Sequence, residues 1–85
     1  MNDHKILGNT ILEMLLERGE GKSICPSEVV RRLYPLNWRE KMDDVRTAAR
    51  ELVAENKIEI TQKGEVVNPS SKGAIRLRLK IEYKT

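Results

Sequence analysis

From Ala74 the chain alternates without a break, setting Ile75, Leu77, Leu79, Ile81 and Tyr83 against Arg76, Arg78, Lys80, Glu82 and Lys84. Successive side chains of a strand point to opposite faces, so this period of two predicts one buried face and one presenting Arg76, Arg78 and Lys80. The expected strand spans about 74–82. A strand of this kind needs partners, and the rest of the chain supplies both another strand pair and helices to cover them. Ile58-Glu59-Ile60-Thr61, Gln62-Lys63-Gly64 and Glu65-Val66-Val67 read as a hairpin over about 58–67, with glycine where the turn needs positive φ.

Three helices precede the hairpin. Between Lys5 and Arg18, Leu7, Ile11, Met14 and Leu15 recur at helical spacing while Leu12 and Leu16 widen the apolar arc. A helix apolar over so much of its surface is expected at the centre of the domain. Gly19-Glu20-Gly21 stops it. In Cys25-Pro26-Ser27-Glu28 the proline suits the first helical position, which makes Cys25 the N-cap and Glu28 the reciprocal partner of a capping box. That helix runs over about 26–33 and ends before Pro35. Asn37 with Glu40 reads as a second cap, opening a helix over about 38–55. Its core stripe is Trp38, Met42, Val45, Ala49, Leu52 and Val53. Off the stripe, Arg39, Arg46 and Arg50 gather on one flank beside Asp43, while Glu40, Asp44, Glu51 and Glu55 take the other. Spacing allows Arg39 and Arg46 to pair with Asp43 and leaves Arg50 without an intrahelical carboxylate.

This order predicts a single α+β domain over 1–85, a winged helix-turn-helix of three helices with a small antiparallel sheet made of the wing hairpin and the C-terminal strand. The residues Ile24-Cys25-Pro26-Ser27-Glu28-Val29, Trp38, Ile58-Glu59-Ile60-Thr61-Gln62-Lys63-Gly64, Val66-Val67, Pro69, Gly73 and Arg76 resemble a family of small bacterial winged-helix domains catalogued only as a domain of unknown function. The resemblance covers roughly 6–80. The chain departs from it at Asn68, where Asp is usual, and at Ala74, where Pro is usual. It implies a winged-helix fold and no established activity, so function rests on the residues themselves.

The 85 residues carry 34% charged side chains and one cysteine. An internal disulfide is therefore excluded, and a reducing cytoplasm is the expected setting. Unbroken apolar runs (Met14–Leu16, Leu52–Ala54) are far below the ~20 residues of a membrane span, so no membrane segment or signal-peptide stretch is expected. With His4 the only histidine, neither a metal-ligand cluster nor a nucleophile with its base can be assembled. A non-catalytic protein without metal or cofactor is the expectation. Gly21-Lys22-Ser23 ends like a phosphate-binding loop, but Leu16 stands where the first glycine belongs.

Charge placement says more. Residues 1–56 carry nine basic and ten acidic side chains, whereas residues 57–85 carry seven and three. Double-stranded DNA is the leading expected partner, met by Arg39, Lys41, Arg46 and Arg50 from the third helix, Lys63 from the wing tip, and Arg76 and Arg78 from the last strand. The alternative is a protein-interaction module, pairing with a second copy or another chain through the C-terminal strand or helix three. Cys25 at a helix N-terminus has the setting of a redox thiol, yet a small residue tolerated at a cap is the simpler reading. Trp38 is read as core rather than as a base-stacking aromatic, and Tyr34 as cover for the end of the second helix.

Overall fold

A computed structural model describes residues 3–19, 21–68 and 73–80. Helix α1 (Asp3–Arg18) is followed by strand β1 (Ser23–Ile24), helix α2 (Pro26–Leu33), a 3-10 turn (Trp38–Lys41), helix α3 (Met42–Ala54) and strands β2 (Ile58–Gln62), β3 (Glu65–Val66) and β4 (Arg76–Leu79). Three helices lie against a four-stranded antiparallel sheet ordered β1-β4-β2-β3. This is an α+β arrangement compatible with a winged helix.

Helix α1 buries Leu7, Ile11, Met14 and Leu15 and packs against α3, α2, β1 and β4, the central position its breadth of apolar surface requires. Its buried arc is narrower than the sequence implies, since Leu16 stays 52% exposed. Thr10, buried on the same helix, donates its hydroxyl proton to the Ile6 carbonyl at 2.9 Å and so leaves no orphan polar atom. Gly19, at φ 106°, closes the helix in the left-handed conformation that glycine adopts without a Cβ clash.

The β4 segment is the hinge of the topology. Leu77 and Leu79 are buried beneath the helices, as the alternation requires. On one side Ser23 and Ile24 oppose Arg78 and Leu77. On the other, Ile58 to Thr61 run antiparallel to Leu79 to Arg76. The described part of the C-terminal strand is thus a central strand, paired with β2 along Arg76–Leu79 on one edge and with β1 at Leu77 and Arg78 on the other. Residues 81–82 of the expected strand lie outside the described residues. The sheet also has one strand more than the sequence reading drew, because two residues of β1 suffice once β4 offers them an edge.

Helix α3 begins later than the sequence implies. Residues 38–41 wind as a 3-10 turn, and Asn37, at φ −135° and ψ 34°, makes no side-chain cap. The turn is instead held by the Glu40 amide donating to the Asn37 carbonyl at 3.1 Å. Three residues per turn instead of 3.6 take Trp38 out of phase with the stripe of α3. Trp38 and Met42 accordingly pack half-buried at the margin of the core. The stripe itself is Val45, Ala48, Ala49 and Leu52, with Ala48 a core residue that sequence reasoning left out. At the other end Asn56 takes φ 62°, with its amide and that of Lys57 donating to the Val53 and Leu52 carbonyls at 2.9 and 3.0 Å. This Schellman ending turns the chain directly into β2.

Candidate nucleic-acid interface

Helix α3 carries most of its acidic charge on one flank and its arginines on the other, with Asp43 beside the arginines. Winding at 100° per residue, the buried stripe leaves Asp43, Thr47 and Arg50 opposite it, with Arg46 on one flank and Asp44 and Glu51 on the other. Arg46 donates from Nη2 to the Gly73 carbonyl at 3.1 Å, so its flank faces the chain leading into β4. The acidic flank turns toward α1. Glu51 and Glu55 line a groove of about 600 Å³ between α1 and α3 together with His4, Lys5 and Lys57. The Asp44 carboxylate lies 3.6 Å from His4 and that of Glu55 lies 3.0 Å from Lys57.

The pairings of Arg39 and Arg46 with Asp43 do not form. Arg46 reaches Gly73, and Arg39 lies over the Trp38 ring with its guanidinium carbon 4.7 Å from the centroid. The 3-10 turn accounts for Arg39, since it shifts that residue's angular position relative to Asp43. Arg50 has no carboxylate partner among the described residues; it donates to the Thr47 hydroxyl at 3.0 Å, which itself donates to the Asp43 carbonyl. Lys41 sits with its ammonium 4.9 Å from the Tyr34 ring.

The wing is short. Gln62 and Glu65 form its last pair, leaving Lys63 and Gly64 as a two-residue loop at φ 51° and 83°. Positive φ at both positions matches the twist of the flanking strands, and it leaves Lys63 exposed at the tip. Arg76 and Arg78 behave differently. Alternation with buried Leu77 and Leu79 sets them on the sheet face away from the helices. There Arg76 donates from Nε to the Ser23 hydroxyl at 2.7 Å and from Nη2 to the Ser23 carbonyl at 3.0 Å. Arg78 meets Glu59 across the ladder at 3.5 Å. Of the seven cations picked from sequence, Arg39, Lys41, Arg46, Arg50 and Lys63 belong to α3, its leading turn and the wing, whereas Arg76 and Arg78 join the sheet.

Arg76 also belongs to a clasp that explains the Ile24–Glu28 string. The Glu28 carboxylate accepts the Cys25 amide at 2.7 Å and the Arg18 guanidinium at 2.8 Å, and Arg18 reaches the Ser23 carbonyl at 3.3 Å. The capping box expected at Cys25 is formed. Partial burial pushes the Glu28 carboxyl up, but hydrogen bonds from Arg18 and from the Cys25 amide, with the charges of Arg18 and Arg76, hold it below its ordinary value. The Cys25 sulfur accepts the Ser27 hydroxyl at 3.1 Å. Sequence reasoning found the box but not Arg18, Ser23 and Arg76, which lie on three other segments.

It also missed Arg31. This residue of α2 lies over the Trp38 ring at 4.3 Å from the centroid. Seven residues and a proline turn separate the two, so no helical spacing could have signalled the contact. Among the described residues no group of three or more His, Cys, Asp or Glu side chains is placed to hold a metal ion, and no helix is long and apolar enough to cross a membrane.

Fold and surface together define an α+β domain whose third helix carries Arg46 and Arg50, with Asp43 beside them, on the side away from Asp44, Glu51 and Glu55. The chain belongs to the family described as Protein of unknown function (DUF3253), whose model matches residues 4–80. No curated protein matches it.

Proposed function

We propose that the domain is a non-catalytic winged-helix module that binds duplex DNA, with α3 directed at the major groove and the wing at the backbone, in a reducing cytoplasm. The observation carrying this reading is the division of charge on α3. An acidic flank beside the cationic one would repel phosphate if both faced the same way. Asp44, Glu51 and Glu55 instead lie on the flank toward α1, with Asp44 near His4 and Glu55 paired with Lys57, leaving Arg46 and Arg50 on the other side, where Asp43 is the one acidic residue of α3 beside them. Arg39, Lys41 and Lys63 add cations at the start of α3 and at the wing tip. Phosphate contacts from such side chains dominate affinity and make it salt-dependent. Lys63 with its flexible stem acts as a point charge, while the arginines can engage a phosphate with two parallel hydrogen bonds.

A protein-interaction module is the competing reading. Leu36, 98% exposed at the turn between α2 and α3, favours it, as does Val66, 58% exposed on the outer strand β3. Titration of the ¹⁵N-labelled protein with a random-sequence duplex, at low and then physiological salt, separates the two. Shifts centred on Arg39, Lys41, Arg46, Arg50 and Lys63 that weaken steeply with salt are expected. An unchanged spectrum at low salt would discard the duplex reading and direct attention to Leu36 and β3.

A further inference from the structure

We infer that Trp38 organises Arg31 and Arg39 into a paired phosphate contact at the junction of α2 and α3, an assignment that rests on the duplex-binding reading. The fate of the other arginines points there. Arg18 and Arg78 meet Glu28 and Glu59, Arg32 meets Glu17, Arg46 meets a backbone carbonyl, Arg50 meets Thr47 and Arg76 meets Ser23. Arg31 and Arg39 alone have no protein oxygen among the described residues. Their contact is the same indole, at 4.3 and 4.7 Å from its centroid.

An anion beside the ring neutralises the positive charge that the two guanidiniums bring to it. The negative face of the indole holds each cation. The contact with the ring leaves guanidinium N–H groups without a protein acceptor, and a phosphate accepts two of them in parallel. Side chains already held in this way lose less rotamer freedom on binding than solvated ones. Position agrees as well. Arg31 lies in the last turn of α2, and in a helix-turn-helix the first helix crosses the nucleic-acid backbone while the second enters the groove. Lys41, in the same 3-10 turn as Trp38, lies with its ammonium 4.9 Å from the Tyr34 ring. The occupant is therefore a backbone phosphate of duplex DNA.

Trp38 is the only tryptophan of the chain, so its emission reports this junction directly. The test titrates the wild type, Arg31→Ala and Arg32→Ala with a random-sequence duplex at several salt concentrations. Arg32 serves as the control because it is exposed on the same turn but meets Glu17 at 3.4 Å instead of the ring. Arg31 is exposed too, and a thermal melt of each variant checks that it is folded. A saturable change of Trp38 emission is expected, with Arg31→Ala lowering the salt slope by about 0.9, one phosphate contact, and Arg32→Ala leaving it unchanged. Equal slopes for the two variants, with the wild type still binding, would overturn the ring-organised pair and leave the duplex reading standing. Failure of the wild type to bind at low salt would remove the duplex reading and the pair with it. A tighter Trp38 response to poly-glutamate than to duplex would assign the junction to an acidic protein partner instead.

Discussion

Glu28 shows how much of a small fold can depend on one carboxylate. It accepts from the backbone of its own helix start and from Arg18 at the end of α1, so a single charge joins two helices and the strand between them. Its native pKa lies below the ordinary value of 4.5, so its contribution to stability is present above that value and is lost as pH falls through the lower native one. Glu28→Gln is expected to cost about 1 kcal/mol at neutral pH, the size of a lost cap. The difference from wild type should shrink below pH 4.5, as read by urea unfolding across pH. Two glycines make the opposite point to each other. Gly64 holds φ 83° in the wing loop, where a Cβ is strained, and Gly64→Ala should cost about 1 kcal/mol. Gly8 lies inside α1, where an added Cβ would meet the Leu52 side chain at 3.9 Å, an ordinary contact. Gly8→Ala should therefore raise stability by about 0.5–1 kcal/mol in the same assay.

At the scale of elements, β4 decides the most. It is the strand that β1 and β2 both use, and its Leu77 is wholly buried. Leu77→Ala should destabilise by about 2–5 kcal/mol, whereas Leu36→Ala, at an almost fully exposed position, should stay within about 0.5 kcal/mol in a parallel thermal melt. Alternation alone identified β4 and its buried face, because period two depends only on local geometry. Its central place depends on Ser23 and Ile24, more than fifty residues earlier, and no local pattern carries that. The start of α3 differs from what the spacing of Asn37 and Glu40 implies, because Asn37 makes no side-chain cap and residues 38–41 wind as a 3-10 turn. The α2 cap was legible because all of its members lie within four residues.

Over the whole molecule the charge is nearly balanced at +3, so a basic composition alone does not mark a nucleic-acid binder. What distinguishes the surface is segregation. Four phosphate contacts, one shared by Arg31 and Arg39 and one each from Arg46, Arg50 and Lys63, would weaken duplex binding roughly 150-fold between 50 and 200 mM salt. Fluorescence anisotropy of a labelled random duplex measures this directly, and a flat salt response would contradict a phosphate-dominated interface.

The sequence by itself determined the order of the three helices, the hairpin and the last strand, most of the buried faces of α1, α3 and β4, the capping box at Cys25 and the glycine at the wing turn. Each of these follows from spacing, backbone sterics or a missing proton within a few residues. Only the tertiary structure decided which strand is central, which arginines are engaged inside the protein and which are left to the surface. Those outcomes depend on side chains distant in the chain competing for the same few acceptors, and on two arginines, one of them seven residues away across a proline turn, finding the ring of Trp38.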